Sequence, residues 1–268
     1  MASYFTAEQI DELKNAAEKV FAKARELKEQ YVRHTFREPK AREHAVTGFA
    51  RRIDSLAHCI NAVFGALPPD LEGIPERTAL VDASVNIQAF VINAAGCCDN
   101  LAWTWALEIG ATQPDGTPLL QRQIGLTSEC QHIWRTIPEP LRKLLTERRP
   151  WFKHIKGFRD SLAHRIPLYI PPYTVSPDNI DEYNRLEKEN WDALIAGDVA
   201  LHESLLQQQE KLKRFVPFIV HSYDDNSPNA VFHAQLLADF HTLEELGQRF
   251  LAEFDALSDS EGALASLG

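Results

Sequence analysis

Arg159 and His164 are the residues whose types and spacing most favour chemistry in this sequence. They lie in the run from Phe158 to Pro167, and Asp160 directly follows the arginine. A guanidinium is permanently charged and can bind two phosphate oxygens, and an imidazole gains and loses a proton near neutral pH. These groups suit metal-free cleavage of RNA, in which the 2′-hydroxyl attacks the adjacent phosphate. Asp160 could hold the imidazole in one tautomer.

The spacing of this pair is not selective by itself. Five other pairs have gaps of four to six residues: Arg37/His44, Arg51/His58, Arg52/His58, Arg148/His154 and Arg149/His154. Among the arginines of these six pairs, only Arg159 is followed directly by Asn, Asp or His, and Leu162 and Ala163 supply apolar residues between the polar ones. The context of the pair therefore carries the prediction.

With these residues the chain resembles the HEPN superfamily, named for nucleotide binding in higher eukaryotes and prokaryotes. Its members are helical bundles, and many are metal-independent endoribonucleases with an Arg-x(4–6)-His motif on a late helix. The resemblance covers about ten residues closely and the rest only in architecture. It implies that Arg159 and His164 are catalytic, with Asp160 in support. It also implies a homodimer that joins two motifs, RNA or a nucleotide as ligand, and a toxin or defence effector with an antitoxin-like protein partner.

A helix over about 150–165 is predicted to position the motif. At 100° per residue, Trp151, Ile155, Phe158 and Leu162 share one narrow stripe, which should be buried. The opposite face carries Lys153, Lys156, Asp160 and His164, with Arg159 on the flank. Gly157 lies near that polar face, where close approach of another helix or of a ligand would explain a glycine.

Charge is concentrated around this helix. Between residues 141 and 165, eight basic and two acidic residues give +6, whereas the whole chain carries −10. From residue 178 to the end, eighteen acidic residues face six basic ones. The balance excludes a general polyanion binder but allows a local phosphate-binding patch, to which we assign Lys153, Lys156 and Arg165.

A second polar constellation consists of Asn86, Asn93 and Asn100, seven residues apart on an apolar helix. Buried asparagines at such a spacing can fix helix register, and we favour that interpretation. The functional alternative places Asp99 and Asn100 beside the active cleft. Neither is assigned a catalytic role.

The remaining pattern predicts an all-α fold, a multi-helix up-down bundle with a long N-terminal helical hairpin. The resemblance implies that this bundle is of HEPN type. Thr6 and Gln9 form a capping box before the first helix, which should end near Pro39. A second apolar run ends at Pro68, and a third helix, about 78–109, is apolar on all sides and should be central. Further helices are expected near residues 126–136, 138–148, 179–195, 198–215 and 229–257. We predict one domain over 1–268, with a core of about 6–167 and C-terminal helices of about 179–257 packed on it.

Composition narrows the class of protein. A hydrophobic fraction of 44% and a charged fraction of 25% are those of a folded globular chain. The four cysteines include no Cys-x-x-Cys pair, and Glu129/His132 is the single Glu-x-x-His pair that a di-iron site would use. No window approaches 18 apolar residues, so we expect a cytoplasmic protein with no membrane partner. Neither a metal nor a cofactor is expected.

Two alternatives to a nuclease stay open at this level. One is a non-catalytic HEPN-like module that binds nucleotide, RNA or a protein partner. The other is a helical scaffold without an active site, in which the first helix mediates assembly.

Overall fold

A computed structural model describes residues 3–220 and 229–265, and this part of the chain is all-α, as predicted. The α-helices are α1 (Ala7–Arg33), α2 (Pro39–Arg42), α3 (Arg51–Ala66), α4 (Arg77–Glu108), α5 (Gln131–Trp134), α6 (Glu139–Glu147), α7 (Arg149–His164), α8 (Ile180–Ala196), α9 (Val199–Leu212) and α10 (Phe232–Ala265). Single 3₁₀ turns cover Gln121–Gln123 and Pro177–Asn179. A π-helical stretch, Glu43–Ala50, joins α2 to α3.

The strands of the described residues are two-residue segments in antiparallel pairs. β1 (Thr174–Val175) pairs with β2 (Lys213–Arg214), and β3 (Phe218–Ile219) pairs with β4 (Ala230–Val231). The proline-rich segment after α7 thus enters β1, and Tyr169 forms a further bridge with Val220. These contacts hold the segment after α7 against the chain that precedes α10.

The predicted N-terminal hairpin is present. The Thr6 hydroxyl accepts from the Gln9 amide at 3.3 Å, and the Gln9 side chain accepts from the Thr6 amide at 3.0 Å, which completes the capping box. Lys14 pairs with Asp70 and Lys28 with Asp54, so α1 and α3 run in opposite directions. The buried face of α1 ends at Tyr31, whose hydroxyl donates to the Gly247 carbonyl of α10 at 2.8 Å.

Helix α4 occupies the centre of the bundle, as its apolar sequence predicts. It packs against α3, the π-helical stretch, α7 and α10, and buries Ile87, Phe90, Leu101 and Trp105. Among the described helices it alone has the length and composition of a membrane span, with a mean hydropathy of 1.3 over 18 residues, of which 44% are buried here. The expectation that no window reaches this level is therefore wrong for α4.

Two hydrophobic clusters divide the described helices. The large cluster joins α1, α3, α4 and α7 to α10, which contributes Phe240, Phe250 and Phe254. Helices α8 and α9 pack chiefly on each other around a small cluster of Leu186, Ala193 and Leu205. The last helix thus belongs to the main bundle, whereas the α8–α9 hairpin has a core of its own.

Two polar contacts with α10 fix α7. The Trp151 indole Nε1 donates to the buried Asp239 carboxylate at 2.8 Å. Arg148, just before α7, donates to Glu245 through Nε at 3.1 Å and Nη2 at 2.6 Å. With Ile155 and Phe158 in the core, these contacts set which face of α7 reaches the surface.

Candidate functional site

The orientation of α7 agrees with the helical pattern. Ile155 and Phe158 are buried, and Trp151 and Leu162 are half-buried against the same core. The opposite face, here called the α7 stripe, consists of Lys153, Lys156, Asp160 and His164. Lys153, Lys156 and His164 are exposed, and Asp160 is half-buried. The motif thus lies at the surface, on a helix anchored from behind.

Arg159 and Asp160 form an ion pair. Arg159 donates to Asp160 Oδ1 through Nε at 3.1 Å and through Nη2 at 2.8 Å, and both side chains are 39% exposed. Asp160 was expected to orient the imidazole of His164, but its hydrogen bonds go to Arg159. The direct role of Asp160 is therefore to fix the direction of the guanidinium.

His164 is the last residue of α7, and its imidazole is exposed. In residues 3–220 and 229–265, no hydrogen bond or ion pair to its ring is present. Arg165 follows the helix with an exposed side chain, and its amide donates to the Ser161 carbonyl at 2.9 Å. The imidazole is therefore accessible, and no residue of the described chain holds it in one orientation.

The cations assigned to phosphate binding are also accessible. Lys153, Lys156 and Arg165 are exposed, and none forms an ion pair with the part of the chain that the structure describes. Gly157 lies among them, and a Cβ built there meets no heavy atom within 4 Å. Packing inside the described chain therefore does not account for this glycine.

Asp99, on α4, faces the motif from the neighbouring helix. Its carboxylate lies at the surface, yet burial by the surrounding chain raises its pKa, while the charges of Arg159 and Arg52 act in the opposite direction. None of the ion pairs seen among the described residues involves Asp99. Asp99 is therefore close to both guanidiniums without touching either.

Arg52 is held by two of the three asparagines. Its Nε donates to Asn100 Oδ1 at 3.0 Å and its Nη1 donates to Asn93 Oδ1 at 2.9 Å. Asn86 instead donates to the Asp82 carbonyl of its own helix at 2.9 Å. The polar seam thus consists of two asparagines that bind an arginine from α3.

His44 extends this group toward the π-helical stretch. Its Nδ1 lies 3.2 Å from Asn100 Nδ2, and its ring stacks on Trp103 with 5.3 Å between ring centroids and 6° between planes. Burial lowers the pKa of His44, which favours the neutral imidazole that can accept from Asn100. We call Arg52, Asn93, Asn100 and His44 the Arg52 cluster.

Arg52 and His44 are not among the site residues predicted from the sequence. They occur in the pairs Arg52/His58 and Arg37/His44, in which the arginine is not followed by Asn, Asp or His. The seven-residue asparagine spacing signalled that a polar partner was needed, but nothing in the sequence identified that partner.

The described residues give little support for metal binding or for thiol chemistry. They contain no group of three side chains that could hold a metal ion. Burial raises the pKa of Cys97 and Cys98, so neither thiol is ionised at neutral pH. The polar groups of α3, α4 and α7 remain the candidate site.

No family model, curated protein or solved structure matches this chain.

Proposed function

We propose that this protein is a metal-independent endoribonuclease whose active site is built from the motif of α7. The observation that carries the proposal is the surface arrangement of one helix. Arg159, held in place by Asp160, lies on the flank of a stripe that exposes a histidine and two lysines. An arginine and a histidine beside free cations are the groups that attack by a 2′-hydroxyl requires.

The proposed reaction is an internal transesterification. The ribose 2′-oxygen forms a bond to the adjacent phosphorus, and the bond from phosphorus to the 5′-oxygen breaks. A base takes the 2′-hydroxyl proton and an acid protonates the leaving 5′-oxygen, which leaves a 2′,3′-cyclic phosphate and a 5′-hydroxyl. His164 transfers protons and Arg159 stabilises the phosphorane charge. Lys153, Lys156 and Arg165 bind flanking phosphates.

Two proton-transfer groups are needed, and α7 supplies one exposed histidine. We propose that a second copy of the chain supplies the other His164 in a homodimer. Two features favour such an approach. Gly157 leaves open space at the stripe, and α4 exposes Val81, Val85 and Ile92 along the face that leads to Asp99. Exposed apolar side chains in a row favour contact with a protein surface.

The test is cleavage of end-labelled single-stranded RNA in excess EDTA. Wild-type protein should cleave, and His164→Ala and Arg159→Ala should each lose at least about a hundredfold in rate. His58→Ala is the matched control, because His58 is exposed and also follows an arginine at the motif spacing. Equal activity of the His164→Ala and wild-type proteins, or activity that EDTA abolishes, contradicts the proposal.

A second candidate function is non-catalytic binding of RNA or nucleotide at the same surface. It is favoured by the absence, within the described residues, of a hydrogen bond that orients His164, because Asp160 is engaged by Arg159. RNA binding that depends on Arg159, without cleavage by the wild-type protein, would identify this function.

A further inference from the structure

Arg52 is a half-buried cation whose direct partners are neutral. Two of its five N–H groups donate to the amide oxygens of Asn93 and Asn100. Three N–H groups, including both on Nη2, have no acceptor in the described chain. No ion pair with a carboxylate is seen for Arg52 in residues 3–220 and 229–265. The guanidinium is thus fixed in direction while most of its donors stay unused.

The fold makes room for this guanidinium and its partner at two glycines. A Cβ at position 96 would lie 2.5 Å from Arg52 Cζ, and a Cβ at position 48 would lie 2.4 Å from Asn100 Nδ2. Gly48 and Gly96 both lie inside helical segments, where glycine is unfavourable. Gly48 also belongs to the π-helical stretch, a geometry found often at functional sites. Gly48, Gly96 and the π-helical stretch are thus three locally unfavourable features around the same side chains.

A purely structural seam does not explain this arrangement well. Asparagine side chains can fix register by bonding to each other, without a charge. A half-buried guanidinium without a carboxylate partner loses solvation that two amide bonds restore only in part. The remaining donors are not buried, so they are open to an anion from outside the described chain.

The position of Arg52 brings it to the motif. Helix α4 packs between α3 and α7, and the charges of Arg52 and Arg159 both act on Asp99. The two guanidiniums are therefore near enough to the same carboxylate to act on it, one from α3 and one from α7. Arg52 and the motif arginine thus lie on the two helices that flank this part of the surface of α4.

We propose that Arg52 is a phosphate-binding residue, which contacts a backbone phosphate of the same RNA other than the one held by Arg159. The ligand class, an RNA phosphodiester, rests on the proposed function. Asn93 and Asn100 are positioning residues that aim the unused N–H groups of Arg52 at the phosphate. Asp99 is the opposing charge, so its negative charge weakens phosphate binding at this subsite.

The experiment measures binding of a fluorescent single-stranded 2′-O-methyl RNA dodecamer, which a 2′-hydroxyl mechanism cannot cleave. Anisotropy titrations at several salt concentrations give the Kd and its salt dependence. Arg52→Gln should raise the Kd about tenfold and lower the slope of log K against log salt by about 0.7, the loss of one phosphate contact on a single strand. Arg51→Gln, at the exposed neighbouring position, should change the Kd less than about twofold.

The variant Gly96→Ala tests the position of the Arg52 guanidinium separately from its charge. Its Cβ displaces the Arg52 guanidinium without removing a cation, and alanine is the better helix former. It should weaken binding severalfold in a protein that melts cooperatively and retains the wild-type circular dichroism spectrum. This variant decides the question if Arg52→Gln does not fold. Asp99→Asn should tighten binding severalfold.

The role of Arg52 and the proposed nuclease function can fail independently of each other. Wild-type affinity and salt slope in both Arg52→Gln and Gly96→Ala overturn the role of Arg52 even if the wild-type protein cleaves RNA. Loss of binding in these variants supports it even if the wild-type protein does not cleave RNA. Failure of the wild-type protein to bind the dodecamer overturns it as well.

Discussion

Asp239 links the anchoring of the motif helix to pH. Its side chain is 2% exposed on α10 and accepts from Trp151 Nε1 of α7 at 2.8 Å and from Gln235 Nε2 at 2.7 Å. Burial raises the pKa of Asp239 to about 7, although both hydrogen bonds oppose that rise. Asp239→Asn removes the charge, and an amide oxygen can still accept from both donors, because both bind Oδ1.

Proton linkage makes the contribution of Asp239 to the stability of the wild-type protein fall as pH rises. The folded protein holds a proton on Asp239 up to pH about 7, whereas the unfolded chain releases it near its ordinary value of 3.8. Asp239 therefore adds stability below its unfolded pKa, and this stability is lost as pH rises through about 7. At about 1.4 kcal/mol per pH unit the whole term is about 4 kcal/mol, of which about 3 kcal/mol falls between pH 5 and pH 8.

Urea unfolding at pH 5 and pH 8 measures this contribution. The change in unfolding free energy between the two pH values is compared between wild type and Asp239→Asn. The variant should gain about 3 kcal/mol relative to wild type on going from pH 5 to pH 8. Asp11→Asn, an exposed carboxylate on α1, is the control and should follow the wild-type curve. Parallel pH profiles for wild type and Asp239→Asn would show that burial has not raised the pKa of this carboxyl group.

Two further predictions concern a buried histidine and two helical glycines. Burial lowers the pKa of His233 to about 4, and its Nε2 contacts the Leu67 carbonyl at 2.6 Å. The unfolded chain binds this proton first, so stability should fall by about 3 kcal/mol as pH drops from about 6.5 to about 4. Denaturation of His233→Gln should lack this acid-dependent loss, and an unchanged profile would contradict the prediction. Gly247→Ala places a Cβ 2.6 Å from Phe49 Cζ and should cost about 1–3 kcal/mol, whereas Gly157→Ala meets open space and should gain up to about 1 kcal/mol. Thermal unfolding checks both glycine variants, and equal shifts for the two would contradict the packing.

The motif helix was predictable because its polar and apolar residues repeat with the period of a helix. The predicted bounds of about 150–165 agree with Arg149–His164, and the core stripe from Trp151 to Leu162 is confirmed. The capping box of Thr6 and Gln9 was equally accessible, because it involves residues only three positions apart. Local patterns of this kind need no knowledge of tertiary packing.

The partners of the polar residues were not predictable in the same way. Asp160 can reach either Arg159 or His164 from its helix, and rotamers decide for Arg159. Arg52 meets Asn93 and Asn100 only because α3 packs on α4 in one register, which depends on tertiary packing. Two-residue strands such as Thr174–Val175 are too short to show alternation.

In the proposed function the RNA 2′-hydroxyl is the nucleophile, and it reacts at the surface that presents Arg159 and His164. The most direct measurement uses an RNA that carries a single 2′-deoxynucleotide on the 5′ side of its main cleavage site, incubated with wild-type protein in EDTA. Cleavage at that linkage should disappear while the neighbouring linkages are still cut to 2′,3′-cyclic phosphate ends. Continued cleavage at the substituted linkage would show that the 2′-hydroxyl is not the nucleophile.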